Sequence, residues 1–198
     1  MKLLLRVLLA ILVLGVAFVA ITFMRASKAR DVDQAYHANI PKTMILRSVS
    51  FNADGDMPAA YTCKGEGVSP EVSWEGAPDN ARSFVLMAMD WDGPSPALRL
   101  GNFTHWILYD IPPTVHEIKS AITVSELNQE KIHVGNNSSD AAAYMPACPP
   151  VGKHRYVFRV YALDIEEIRP ASPDRDAVME AMKGHVLGFG EIAGLFGG

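Results

Sequence analysis

The chain has 198 residues, with 18 basic and 22 acidic side chains and a formal net charge of −4. Lys2, Arg6, Arg25, Lys28 and Arg30 fall in the first 30 positions and no acidic residue does, so thirteen basic against twenty-two acidic residues leave −9 on the remainder. A domain that acidic, without a basic run, is repelled by nucleic acid and, absent a local basic patch, by anionic lipid surfaces; nucleic acid is excluded as a partner.

Val7 to Met24 is an uncharged run of 18 residues, roughly 27 Å long as a helix and so just able to cross a bilayer core. Lys2 and Arg6 precede it as in a signal sequence, while Ser27-Lys28-Ala29 is a poor cleavage site. Residues 1–30 therefore read as an uncleaved signal-anchor, with a cleaved secretory signal as the alternative. Basic residues flank the run on both sides, close to a tie by the positive-inside comparison, and its secretory character favours export of the rest to the periplasm or exterior. Residues 31–43, polar and mixed and ending near Pro41, read as a linker. Residues 44–198 suit one domain with one core.

Met44 to Phe51 alternates well enough for a strand, and Asp54-Gly55-Asp56 marks the turn after it. Cys63 to Pro70 is a loop, followed by a short strand through Trp74. Ser83 to Asp90 and Thr104 to Ile111 are nearly continuous apolar runs bounded by breakers, the pattern of buried strands. His154 to Asp164 alternates, with Tyr156, Phe158, Val160 and Ala162 on one face and Val157, Arg159 and Tyr161 on the other. Asp174 to Lys183 predicts a helix, with Ser172 as N-cap, Pro173 in the first position and Gly184 at the end. His185 to Phe196 is ambiguous between a strand and a short helix because its glycines blur the period. The class is mostly β: a β-sandwich with a few short peripheral helices.

Two short runs concentrate chemistry: Asp90-Trp91-Asp92-Gly93-Pro94 and Cys148-Pro149-Pro150-Val151-Gly152-Lys153-His154-Arg155-Tyr156, with His105 between them. Each places ionisable groups where an apolar strand meets a Gly/Pro turn. Two histidines and two aspartates are thereby expected at one rim, a setting for an anion or phosphate ester. His105 opens a strand, so its ring points either into a pocket or to water. Asp90 is either a strand-terminal turn former or a carboxylate that orients His105 or accepts from an ammonium group. Arg155 is expected in a structural salt bridge, while His37, His116 and His133 stand alone and are expected at the surface. Two histidines and an aspartate can bind zinc, but no short ligand pair is present, and no metal or cofactor is expected. Cys63 and Cys148 each lie in a Gly/Pro-rich loop; an exported domain allows one disulfide between them, a cytosolic one leaves two free thiols.

Several ordered motifs carry a resemblance. Tyr61 to Pro70, Trp74 with Gly76 and Pro78, Asp90 to Pro94, His105-Trp106-Ile107-Leu108-Tyr109-Asp110-Ile111-Pro112, the Cys148–Tyr156 run, Tyr161-Ala162-Leu163-Asp164 and Gly184-His185-Val186-Leu187 follow one another through nearly all of residues 44–198. Together they resemble the phosphatidylethanolamine-binding protein family in its bacterial and archaeal, Raf-kinase-inhibitor-like branch. The resemblance implies a central β-sandwich with an anion pocket at one edge that accepts phosphate-like groups, phospholipid headgroups included. By motif position the pocket residues are Asp90, His105, His154 and Tyr156, with Pro149 and Pro150 shaping the wall and Asp92 holding the turn; His185 is structural or rim-forming. Two departures stand out: Trp91 replaces the first proline of the family's Asp-Pro-Asp-Ala-Pro motif and Gly93 its alanine, leaving the turn less constrained. Phe103 stands where animal members often carry Trp.

These residues are compatible with three functions. The first is non-enzymatic binding of a small anionic or phosphorylated ligand by a membrane-tethered domain. The second is a protein-interaction module that inhibits a protease or modulates a kinase, its partner unknown. The third is an enzyme using His105 and Asp90 as an acid–base pair; no nucleophile elbow supports covalent hydrolysis, and Cys148 keeps a thiol mechanism open only if it is unbonded.

Overall fold

The computed structural model describes residues 2–198. Helix α1 spans Lys2–His37, and its apolar stretch is long and apolar enough to cross a membrane, with none of that window buried against the domain. The strands are β1 (Ile45–Arg47), β2 (Gly55–Asp56), β3 (Val72–Glu75), β4 (Ser83–Gly93), β5 (Gly101–Ile111), β6 (Glu117–Ile118), β7 (His133–Val134), β8 (Lys153–Leu163) and β9 (Val186–Gly197). Two short helices, α2 (Val124–Gln129) and α3 (Arg175–Met182), complete the fold.

A three-stranded sheet, ordered β1-β3-β6, packs on a six-stranded sheet, ordered β2-β9-β8-β4-β5-β7. The long strands β4, β5, β8 and β9 are antiparallel, and only β2 joins β9 in parallel. Because side chains alternate along a strand, the six-stranded sheet has two buried faces. Phe84, Leu86, Trp106, Leu108 and Phe158 point between the sheets and meet Leu46, Val72, Trp74 and Ile118. Val85, Met87, Ile107 and Tyr161 point to the opposite face, where Val178 and Met182 of α3 and Tyr36 of α1 cover them. Burial on both faces explains why β4 and β5 are continuous apolar runs rather than alternating ones.

Two expectations are corrected. Residues 31–37 are not linker: α1 continues through His37, because Asp33 and His37 find partners on the sheet. Asp33 is buried and bonds Arg159 Nη1 at 2.7 Å and Arg175 Nη2 at 2.9 Å. His37 Nε2 lies 2.8 Å from Tyr161 Oη, so this histidine is not a free surface group. His133 is exposed, as expected, but not alone, since its Nδ1 donates to Asp110 Oδ2 at 2.8 Å.

The last segment is a strand. Its glycines serve close approach: a Cβ on Gly190 would stand 2.4 Å from the Met44 carbonyl oxygen, where the chain entering β1 crosses β9. Helix α2 was unforeseen, although Thr123 and Glu126 form a full capping box at its start. At α3 the N-cap is Asp174, which accepts from Ala177 N; Ser172 bonds the Asp174 carboxylate instead. Asp174 is held below the usual carboxylate range, first by that hydroxyl and then by the Ala177 amide.

Cys63 and Cys148 are joined in a disulfide across 85 residues of sequence, beside the bridge that pairs Thr62 with Ala147. Closing so long a loop restricts the unfolded chain, and reduction is expected to cost about 2–4 kcal/mol. Urea unfolding with and without reductant measures it; coincident midpoints would show that the bond contributes nothing.

Candidate ligand site at the edge of the sandwich

The bulge in β5 explains how His105 reaches the site. Ala88 pairs with Trp106 and Met89 with Thr104, leaving His105 as the extra residue. A bulge re-aims one side chain, and here consecutive residues, His105 and Trp106, both reach the inter-sheet side. Met145 clamps the bulge at two points. Its amide donates to the His105 carbonyl at 2.7 Å, and its carbonyl accepts from His105 Nδ1 at 2.7 Å. That fixes the proton on Nδ1 and leaves Nε2 without a hydrogen-bond partner among the described residues.

Tyr156 lies opposite Asp90 in the β4–β8 register, and its ring meets His105 edge-on with centroids 5.0 Å apart. Its hydroxyl is buried beside the Cys148 backbone and forms no complete hydrogen bond. Burial, then the nearby Asp90 carboxylate, pushes the phenol far above its ordinary value, so it is a donor at any ordinary pH.

Asp90 is engaged through both oxygens: Oδ1 accepts from Asp92 N at 2.7 Å and Oδ2 from His154 Nδ1 at 2.8 Å. His154 is only 1% exposed and its Nε2 faces the Val151 carbonyl at 3.3 Å. The structure therefore corrects the expected open rim. Asp90 and His154 are a sealed pair that braces the site from behind, and the groups with hydrogen-bonding capacity to spare are His105 Nε2 and Tyr156 Oη. Burial, the largest influence, holds His105 below its ordinary pKa of 6.5, against the raising effects of the Met145 carbonyl and Asp90 and with His154 lowering it further.

Asp92 ties the turn down, accepting from Arg155 N at 3.0 Å and pairing with Arg99 Nε at 3.0 Å. Arg155 itself bonds Asp54 at 2.8 Å. Gly93 has a local reason: a Cβ there would stand 2.3 Å from a ring carbon of Phe103, so the glycine and the phenylalanine fit one another across the β4–β5 turn. Trp91 faces away from the site, under the Arg175 guanidinium at 5.1 Å from its ring centre. Pro149 and Pro150 line an open cleft of about 530 Å³ with the disulfide, Lys64 and Lys153, and neither His105 nor Tyr156 is in that lining. His185 bonds Asp164 at 2.9 Å, away from this cluster. Met145 is the contributor that sequence reasoning missed; it acts through its backbone, which leaves no mark in residue type.

Two packed sheets with a histidine-bearing bulge at their edge define a class of β-rich domain, and comparison places the chain within it. The phosphatidylethanolamine-binding protein family model matches residues 47–197. The chain belongs to that family. A UPF0098 protein of Methanothermobacter thermautotrophicus is 39% identical over 154 residues, covering 77% of this chain and 98% of that protein. A UPF0098 protein of Archaeoglobus fulgidus is 33% identical over 183 residues, 92% of this chain and 59% of the longer relative. Only 161 residues follow His37, so that alignment runs into α1. Among solved structures, the phosphatidylethanolamine-binding protein homologue CT736 of Chlamydia trachomatis superposes with a TM-score of 0.70 at 32% identity, covering 79% of this chain and 99% of that one.

Proposed function

We propose that this protein is a membrane-tethered domain that binds, without transforming, a small anionic or phosphorylated group such as a phosphate ester or phospholipid headgroup. The observation that carries this reading is that His105 Nε2 and Tyr156 Oη, on rings whose centroids are 5.0 Å apart, are two hydrogen-bonding atoms left over in an otherwise satisfied buried cluster. The phenol donates one hydrogen bond. The imidazole accepts from a protonated phosphate oxygen, or donates once it is itself protonated. A binding role rather than catalysis fits the surroundings: Cys148 is held in the disulfide and Asp90 is committed to His154. Helix α1 supplies the tether, and a disulfide suits an exported domain.

Tyr156→Phe separates binding from folding. It removes a buried hydroxyl that satisfies nothing, so stability is expected to stay level or rise slightly. Affinity for inorganic phosphate or phosphoethanolamine is expected to fall about tenfold, the effect of roughly 1.4 kcal/mol. Titration of the full chain in phosphate-free detergent, followed by histidine NMR, reads the affinity, and urea unfolding reads the stability. Because His105 starts below 6.5, an anion that favours the charged ring should bind more tightly as pH falls from 7 toward 5. The ligand-free fold responds oppositely. Between the depressed folded pKa and 6.5 the unfolded chain holds more protons, so stability is lost as pH falls through that window. Unchanged affinity in Tyr156→Phe, with no His105 shift on titration, would refute the site.

A further inference from the structure

Four arginines distant in sequence, Arg30, Arg99, Arg155 and Arg159, line one cavity of about 250 Å³ where α1 meets the six-stranded sheet. Alternation along β8 puts Arg155 and Arg159 on the face opposite His154 and Tyr156, so this cavity is separated from the His105 cluster by the thickness of the sheet. Trp91 forms part of its wall, and the indole Nε1 is buried with no hydrogen-bond partner. Asp33 and Asp92 are the carboxylates in the lining, bonded to Arg159 and to Arg99. Asp54 and Glu191 pair with Arg155 and Arg159 from outside it. The lining thus carries four positive and two negative charges, in a domain whose overall charge is strongly negative. Arg99 and Arg155 are about half exposed, at 52% and 44%, so their guanidinium groups can turn to a ligand.

The position of the cavity names the anion. Arg30 lies six residues beyond Met24, the end of the apolar run, or about 9 Å along the helix, next to a headgroup layer about 5–8 Å deep. Arg30 Nη1 donates to the Arg99 carbonyl at 2.9 Å, which brings the Ser95–Leu100 loop against α1 at that level. On either side of Arg99, Leu98 and Leu100 line an apolar cleft of about 790 Å³ that runs along α1 from Ile11 to Phe23. A polar cavity rich in guanidinium thus adjoins an apolar cleft along the segment read as spanning the bilayer.

We propose that this junction binds one membrane phospholipid, its phosphate among the arginines, its acyl chains along the cleft between α1 and Leu98. Guanidinium groups suit a phosphate because their planar donors match its oxygens two at a time. The lipid assignment rests on the membrane reading of α1; the anion site does not.

The test uses the full chain, purified in phosphate-free detergent and reconstituted into phosphatidylcholine bilayers with and without phosphatidylglycerol. Flotation with carbonate-washed vesicles reports on α1 alone: a chain that fails to float overturns the tether and, with it, the lipid. Lipid retained on the protein is then counted by native mass spectrometry. One phospholipid per chain is expected at this junction, retained at least tenfold less by the Arg30→Gln/Arg99→Gln double variant and undiminished by Lys119→Gln, an exposed cation outside both linings. Arg155→Gln, whose side chain is half exposed and, among the described residues, pairs only with the exposed Asp54, is a second variant should the double one unfold; it is expected to weaken retention without altering the melting temperature. Retention equal to wild type in both arginine variants overturns the site. Arginine-dependent binding of inorganic phosphate with no lipid retained overturns the lipid assignment.

Discussion

Asp33→Ala is expected to lower stability by about 3 kcal/mol and to loosen the hold of α1 on the domain. The carboxylate is 7% exposed and shared by two guanidinium groups that are themselves only 14% and 18% exposed. Burying those charges costs several kcal/mol apiece unless they are paired, and removing one partner strands the others. Arg159 keeps Glu191 at 2.9 Å and Arg175 keeps the exposed Asp176, which holds the loss toward the lower end of the usual 3–5 kcal/mol for a broken buried pair. For a domain of this size the loss is a fall in melting temperature of roughly 6–12 °C. His37 and Tyr161 are joined to the same cluster, so the last turns of α1 should become open to trypsin at Lys28 and Arg30. Asp31→Ala, on the exposed side of the helix, is the control and is expected to change stability by less than about 0.5 kcal/mol. Equal melting temperatures and equal cleavage in the two variants would mean that α1 is merely tethered.

That network also marks where sequence reading ran out. Strands β4, β5 and β8 were legible because burial on both faces writes itself into continuous apolar runs and strict alternation, which are local signals. Asp33 and Arg159 are 126 positions apart, and neither lies in a segment whose period announces a partner. Between Arg25 and His37 charges fall on every side of the helix, so the polar composition suggested linker where the fold makes a docked helix end. The arginine cavity was hidden for the same reason. Arg30 and Arg99 are 69 positions apart, and a search for basic runs passes over a patch assembled only by folding.

The candidate site was legible in part. Residue types and motif order named Asp90, His105, His154 and Tyr156, and the fold gathers all four. What residue type could not convey is the division of labour among them. That division depends on the β5 bulge, the Met145 backbone clamp and the saturation of both Asp90 oxygens. Trp91 and Gly93 looked like a loosened turn. In the fold, Gly93 makes room for Phe103 and Trp91 serves the opposite face of the sheet.

The saturation of Asp90 leads to the second large effect. Asp90→Ala is expected to cost about 3–5 kcal/mol, because it strands His154 Nδ1, in a ring 1% exposed, together with the Asp92 amide that begins the β4–β5 turn. Loss of anion binding in that variant would therefore report a disturbed turn as readily as a lost contact. Asp90→Asn separates the two. Its carbonyl oxygen still accepts from Asp92 N, and its amide donates to His154 Nδ1 once the imidazole carries its proton on Nε2, toward the Val151 carbonyl. The cost should shrink to about 1–2 kcal/mol, in line with exchanging a charged hydrogen bond for a neutral one. The Asp90 carboxylate also helps His105 hold its proton, so the amide should move protonation of His105 to still lower pH. The acid-promoted gain in phosphate affinity would move with it. Urea unfolding of the two variants, with a histidine NMR titration of Asp90→Asn, provides the readings. A stable Asp90→Ala would show that the His154 pair braces nothing. Asp90 would then be free to meet an ammonium group, and the ligand class would shift from a simple anion toward a zwitterionic headgroup.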